Sequence, residues 1–229
     1  MYIVDDIIIE KMKTKIKIWI DEAGRGPWCG PVVAASLSWN PNSMPDLELI
    51  QEVWDSKKLT KQKREKLYKK LIQASLQEQL YFWVWVVDNY TIDEINIRQA
   101  NKEAMRRSII EIQRKIPKEL SEISVVIDGR DNYVFDELEK KPLYIIGWDD
   151  KVSEIGAASI IAKVFRDKLM AQYASLYSNL GLDTNAWYGT KKHKEALREK
   201  KDISGIYRTS YKPVKAIIEK KEKVLVHIC

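Results

Sequence analysis

Lys15-Ile16-Lys17-Ile18-Trp19-Ile20 runs directly into Asp21-Glu22-Ala23-Gly24-Arg25-Gly26-Pro27, and this junction decides the fold. The first six positions alternate with the period of two expected of a strand with one wet face. Two glycines and a proline then enforce a turn. Pro31-Val32-Val33-Ala34-Ala35-Ser36-Leu37 reads as a second strand, so the two form a hairpin whose first strand ends in an acidic pair.

Other segments repeat the arrangement. Ser124-Val125-Val126-Ile127 is a short apolar strand ending at Asp128-Gly129, and Leu143-Tyr144-Ile145-Ile146 is another that ends near Trp148-Asp149-Asp150. Residues 81–87 are continuously apolar and aromatic and are predicted to form a buried strand. After Pro41 to Pro45 a loop is expected, and then a helix over 60–77 with Thr60 as N-cap. A second helix is expected over 91–115, with Ile95, Ala100, Ala104, Met105 and Ile109 on its apolar face. Residues 153–177 predict a long helix whose small residues, Gly156-Ala157-Ala158-Ser159, allow close packing on a sheet. Two basic helices, over 191–200 and 212–223, finish the chain. The order β-β-α-β-α-β-β-α predicts an α/β fold, a mixed sheet covered by helices.

The 229 residues suit one domain of ordinary size, and 45% hydrophobic with 31% charged residues is a globular composition. No run of about 18 apolar residues predicts a membrane span. Residues 1–17 lack the basic start and apolar centre of a signal peptide, so a cytoplasmic protein is expected. Cys29 and Cys229 are too few for a disulfide framework and match no zinc spacing; Cys29 is expected to be a small buried hydrophobe. The net charge of +6 is unevenly spread. Residues 190–229 hold 12 of the 39 basic and 5 of the 33 acidic residues, a local balance of +7 that leaves the remainder at −1. Such a segment is either a solvated helical face or a polyanion-binding extension.

Three predicted strands therefore end in carboxylates: Asp21-Glu22, Asp128 and Asp149-Asp150. Strand ends are rigid mounts, and several side by side can aim carboxylates at one point. Hard divalent cations take oxygen ligands and leave positions for phosphate and water. Two such ions can straddle a phosphodiester, activating the attacking water and stabilising the leaving oxygen. Acidic residues are also common at strand-to-loop turns, so spacing alone does not separate a metal site from ordinary turns.

Residues 21–27 followed by Gly30-Pro31-Val32-Val33-Ala34-Ala35 closely resemble the opening signature of ribonuclease HII. Asp55-Ser56-Lys57-Lys58-Leu59-Thr60 resembles the family's next block, and Ile92-Asp93-Glu94-Ile95-Asn96-Ile97 with Ala104-Met105 the one after it. Val126-Ile127-Asp128-Gly129, then Asp149-Asp150-Lys151-Val152 with residues 157–167, then Tyr188-Gly189-Thr190-Lys191-Lys192-His193 follow in family order over nearly the whole chain.

The resemblance implies a ribonuclease H-like catalytic domain over 1–180, with a basic helical C-terminal extension over 181–229 packed on it. It implies a two-metal site for Mg²⁺ or Mn²⁺ held by Asp21, Glu22, Asp128 and Asp149, with the choice between Asp149 and Asp150 left open. Asp167 resembles a further family carboxylate; its other reading is a helix-surface residue pairing with Arg166 or Lys163. The implied activity is endonucleolytic hydrolysis of the RNA strand of RNA–DNA hybrids, and cutting 5′ to ribonucleotides embedded in duplex DNA. The ends would be 3′-hydroxyl and 5′-phosphate, and the enzyme a monomer. A hybrid-binding or DNA-structure-specific protein on the same fold is the alternative.

Reading RNA within a duplex means detecting the 2′-hydroxyl. Gly24-Arg25-Gly26 is either a plain tight turn or a backbone that comes close to that sugar because no Cβ intervenes. In the family the equivalent of Tyr188 stacks on the sugar after a ribonucleotide. Lys57, Lys58, Lys191 and Lys192 would hold phosphates, positioning the duplex without specifying its sequence. Trp28 stands where the family usually has a small apolar residue, either packing under the groove or reshaping it.

Overall fold

In a computed structural model the structure describes residues 16–54, 59–117, 123–145, 152–176, 194–195, 197–198 and 205–226, with side chains to residue 220. It contains β1 (Ile16–Ala23), β2 (Val32–Trp39), α1 (Leu47–Trp54), α2 (Lys61–Leu76), β3 (Leu80–Val87) and α3 (Asn89–Lys115). These are followed by β4 (Ile123–Asp128), β5 (Leu143–Ile145), α4 (Ser153–Leu176) and α5 (Lys212–Val226). The five strands form one mixed sheet in the order β3-β2-β1-β4-β5, with β1, β4 and β5 parallel. This is the helix-covered α/β sheet expected from the sequence.

The chain divides into two compact units. The first takes residues up to 22, 34–85 and 105–164. Its centre is β1 and β4, where Trp19, Val126, Ile145 and Ile155 form one apolar cluster. All eight residues of β2 are buried. The small ones admit close neighbours: the Ser36 hydroxyl donates to the Ser108 carbonyl of α3 at 2.9 Å, so a buried polar group is satisfied without water. Full burial of side chains such as Ile18, Ile20 and Trp19 stabilises the sheet by about 1.5–3 kcal/mol each. Ala157 and Ala158 of α4 are fully buried.

The second unit takes residues 23–33, 86–104 and 165 onward. Its core joins Trp28, Cys29, Met170, Leu197, Ile206, Tyr207, Val214 and Ile217. Cys29 is the buried hydrophobe expected, and burial pushes its thiol up to about 12. Trp28 also packs inward, with the Lys194 ammonium 5.8 Å from its ring centre.

Three expectations are corrected. The stretch after Pro45 is a helix, α1, because Asp46 accepts the Leu49 amide at 2.8 Å and so caps it, and Leu49 and Val53 share its buried face. The third strand is a half-buried sheet edge: cations cover its aromatics, Lys115 lying 4.6 Å from the Trp83 ring centre and Arg107 5.6 Å from that of Trp85. Helix α3 is broken at Asn96 (φ 65°, ψ 160°), whose side chain accepts the amides of Arg98 and Gln99 and starts a new helix. The break turns Ile95 out to 37% exposure, while Ala100, Ala104, Met105 and Ile109 are buried as expected. Thr60 caps α2 as read, accepting the Lys63 amide. Most of the helix expected over 191–200, and the 180/181 boundary, lie outside the described residues.

Candidate active site

β1 runs through Asp21 and Glu22 rather than stopping before them, and β4 runs through Asp128. The two strands are parallel with Ile20 opposite Ile127. One step further along each strand, Asp21 and Asp128 share an edge and, by the alternation of side chains, a face, on backbones about 4.8 Å apart. β5 continues the pattern: Ile145 pairs with Asp128, and the Gly129 amide donates to the Ile145 carbonyl at 2.9 Å. Asp149 and Asp150 lie outside the described residues.

The surroundings of Asp21 are tight. Its carboxylate accepts the Glu22 amide at 2.8 Å and the hydroxyl of Ser159 from α4. Burial, then the neighbouring charge of Glu22, with Asp128 adding to it, push the Asp21 carboxyl up to about 8; the two hydrogen bonds pull it back only in part. Asp21 as a residue is half-buried. Crowded carboxylates of this kind are relieved by a divalent cation, and an all-oxygen donor set suits Mg²⁺ or Mn²⁺. Among the described residues no group of three or more His, Cys, Asp or Glu side chains has metal-holding geometry. Asp167 sits half-buried on α4, one residue past Arg166.

The glycine-rich loop belongs to the second unit. Gly24 has φ +98°, and a Cβ there would lie 2.2 Å from Arg166 Nε and 2.7 Å from the Pro31 carbonyl oxygen, so only glycine fits. Arg166 is buried and donates to the carbonyls of Pro31 and Cys29, both at 3.0 Å. Arg208, fully buried, donates to four further carbonyls of the same loop. Arg25 is half-buried and Gly26 exposed. Asp93 accepts both the amide and the hydroxyl of Thr209 and of Ser210. Burial acts to raise its carboxyl, yet these four bonds outweigh it and hold the group below the usual carboxylate value.

The structure thus brings Asp21, Glu22 and Asp128 together and orders Gly24, Arg25 and Gly26 just after them in the chain. Tyr188, Lys57, Lys58, Lys191 and Lys192 lie outside the described residues. Asp93 and Ser159 fall within family-like blocks but were given no role by sequence, and Arg208 was not singled out at all. Ser159 hides in a small-residue helix run, and Arg208 is one of 39 basic residues.

Acidic ends on adjacent parallel strands of a five-stranded mixed sheet, under a helical cover, define a ribonuclease H-like protein. A family model of ribonuclease HII matches residues 18–214. The ribonuclease HII of Lactobacillus delbrueckii subsp. bulgaricus is 41% identical over 199 residues, covering 87% of this chain and 70% of that one. That of Fusobacterium nucleatum is 38% identical over 212 residues, covering 93% and 92%. The crystal structure of ribonuclease H2 from Pyrococcus horikoshii is similar to this fold with a TM-score of 0.72 at 27% identity, covering 91% of this chain and 99% of that one. The chain belongs to the ribonuclease HII family and is a ribonuclease H, a hydrolase that degrades the RNA strand of RNA–DNA hybrids.

Proposed function

We propose that this chain hydrolyses the RNA strand of hybrids endonucleolytically and cuts on the 5′ side of single ribonucleotides in duplex DNA, leaving 3′-hydroxyl and 5′-phosphate ends. The observation that carries the reading is the register of β1 and β4, which sets Asp21 and Asp128 side by side at one end of the sheet. Asp21, Glu22, Asp128 and Asp149 (or Asp150) would hold two divalent cations, Mg²⁺ or Mn²⁺, with Asp167 nearby as a further carboxylate. When bound, such cations supply charge neutralisation at the scissile phosphate and a more acidic water.

The chain's own groups do the rest. Ser159 and the Glu22 amide hold one orientation of the Asp21 carboxylate. The Gly24-Arg25-Gly26 backbone, continuous with Glu22, reads the 2′-hydroxyl, and Tyr188 stacks on the following sugar. Lys57, Lys58, Lys191 and Lys192 hold phosphates. Residues 1–180 are the catalytic part, and 181–229 a basic extension acting with it as a monomer. The test is cleavage of three labelled duplexes, with one embedded ribonucleotide, a full hybrid and all DNA, with Mg²⁺, Mn²⁺ or chelator. Metal-dependent cutting 5′ to the lone ribonucleotide with DNA untouched supports the reading. Binding without cutting, or equal cutting of DNA, overturns it.

A further inference from the structure

Of the eight residues between β1 and β2, four turn their carbonyls toward one side chain. Arg208 Nη2 lies 2.6 Å from the Gly24 oxygen, Nη1 3.1 Å from that of Arg25 and 2.9 Å from that of Pro27, and Nε 2.9 Å from that of Gly30. Nη1 also donates to the Tyr211 hydroxyl at 2.7 Å, and that hydroxyl donates in turn to the Arg25 oxygen at 2.6 Å. The guanidinium is fully buried, and its hydrogen-bonding partners are carbonyl and hydroxyl oxygens rather than a carboxylate.

A peptide unit is planar and trans, so its C=O and N–H point in opposite directions. Fixing the carbonyl of residue i therefore fixes the amide of residue i+1. The Arg25 carbonyl is held twice, by Arg208 and by Tyr211. The amide that it orients belongs to Gly26, the exposed member of the loop, and it points away from the guanidinium. The segment carrying Arg208 is itself anchored. Gly30 N donates to the Ile206 oxygen and Arg208 N to the Trp28 oxygen, both at 2.8 Å, and Asp93 takes four bonds from Thr209 and Ser210 at 2.6–2.9 Å.

We infer that Arg208, completed by Tyr211 and anchored by Asp93, is a positioning residue that aims the Gly26 amide at the substrate ribose. The inference rests on the reading above that this turn reads the 2′-hydroxyl. A merely structural arginine would stabilise the loop without controlling the chemical step. A misaimed donor lowers kcat while ground-state binding through phosphates persists.

The experiment measures kcat and KM separately on the single-ribonucleotide duplex for wild type, Tyr211→Phe, Asp93→Asn and Arg208→Lys. It adds melting temperature, amide exchange of residues 24–30, and binding to an all-DNA duplex of the same sequence. Tyr211→Phe keeps the ring and removes only the hydroxyl. It should lower kcat about tenfold with KM within about twofold and melting unchanged, and Arg208→Lys should lower kcat about 100-fold, the range expected of a small misplacement. Exchange in 24–30 should quicken in both while β1 and β4 stay protected and all-DNA binding holds. Asp93→Asn should lie between them. Wild-type kcat in Tyr211→Phe and Asp93→Asn overturns the inference. So does a loss that follows melting alone and vanishes at a temperature where each variant is fully folded. Failure of the wild type to cut any ribonucleotide substrate sinks the parent reading and this inference together; cutting by the wild type with unaffected variants sinks this inference alone.

Discussion

Gly24→Ala, set beside Gly129→Ala, tests whether the loop is built as tightly as its contacts indicate. Both glycines have positive φ, +98° and +127°, so alanine at either is strained by about 1–3 kcal/mol. At Gly129 nothing lies within 4 Å of the added carbon, and strain is the whole effect. At Gly24 the carbon meets Arg166 Nε at 2.2 Å and the Pro31 oxygen at 2.7 Å. Neither neighbour yields easily, because Pro31 O is backbone and Arg166 is only 2% exposed and donates to two carbonyls. Overpacking adds about 1–3 kcal/mol, and displacing Arg166 leaves buried carbonyls short of a donor at about 1–3 kcal/mol. The sum is about 6 kcal/mol against about 2 at Gly129, and in a chain of this size each kcal/mol lowers the melting temperature by about 2–4 °C. Thermal unfolding followed by circular dichroism should therefore show Gly24→Ala melting about 10 °C below Gly129→Ala. Equal melting of the two would refute the packing argument, since it would mean that Arg166 moves aside freely.

Asp128→Asn should cut kcat on a hybrid by at least about 100-fold while leaving melting and hybrid binding near wild type, because it removes charge where the reaction needs it; near-normal cleavage would dismiss Asp128 from the site. Asp93 has a folded-state pKa below its ordinary 3.8, so its contribution to stability is full above that value and fades as pH falls through the lower one. Asp93→Asn should flatten the acid-side fall of melting temperature below pH 3.8, and an unchanged slope would show that the four hydrogen bonds do not favour the charged form. Tyr188→Ala should depress cleavage at a single ribonucleotide more than cleavage of a long hybrid, and equal losses on both would remove the sugar-stacking role.

Much of the fold was legible because its signals are local. A strand that ends in Asp-Glu before two glycines announces both the strand and the carboxylates, and Val126-Ile127-Asp128-Gly129 repeats the pattern. Thr60 announces a helix start in the same way. The helix after Pro45 carried such a signal too, in Asp46 ahead of Leu47, Leu49, Ile50 and Val53, but the prolines and polar residues before it outweighed the capping residue. The break at Asn96 was hidden for a different reason. Asparagine tolerates positive φ, and its side chain caps the next helix, so the apolar spacing continues on both sides while the axis changes. β3 misled because apolar and aromatic residues normally imply full burial, whereas here lysine and arginine stems cover an edge strand.

The carboxylates and the loop support differ in legibility because they are specified at different ranges along the chain. Asp21 and Glu22 are neighbours in sequence, and Asp128 is placed by a strand register that an apolar run makes guessable. Arg166 reaches Pro31 across 135 positions, Arg208 reaches Gly30 across 178, and Asp93 meets Ser210 across 117. No local pattern links such residues, and the property that distinguishes the two arginines, complete enclosure of a charge, is invisible to a charge count. That count would assign Arg208 to the basic surface of the last 40 residues, where each arginine is a phosphate contact. Enclosed by four carbonyls instead, it cannot touch a duplex without unfolding its own loop. The C-terminal segment therefore has two separable tasks. Its exposed lysines bear on affinity and should respond to salt, whereas Arg208 bears on the geometry of the turn and should not. Raising ionic strength ought to weaken binding by the wild type and by Arg208→Lys in parallel, with the kcat ratio between them constant. A ratio that moves with salt would return Arg208 to the surface electrostatics from which its burial removes it.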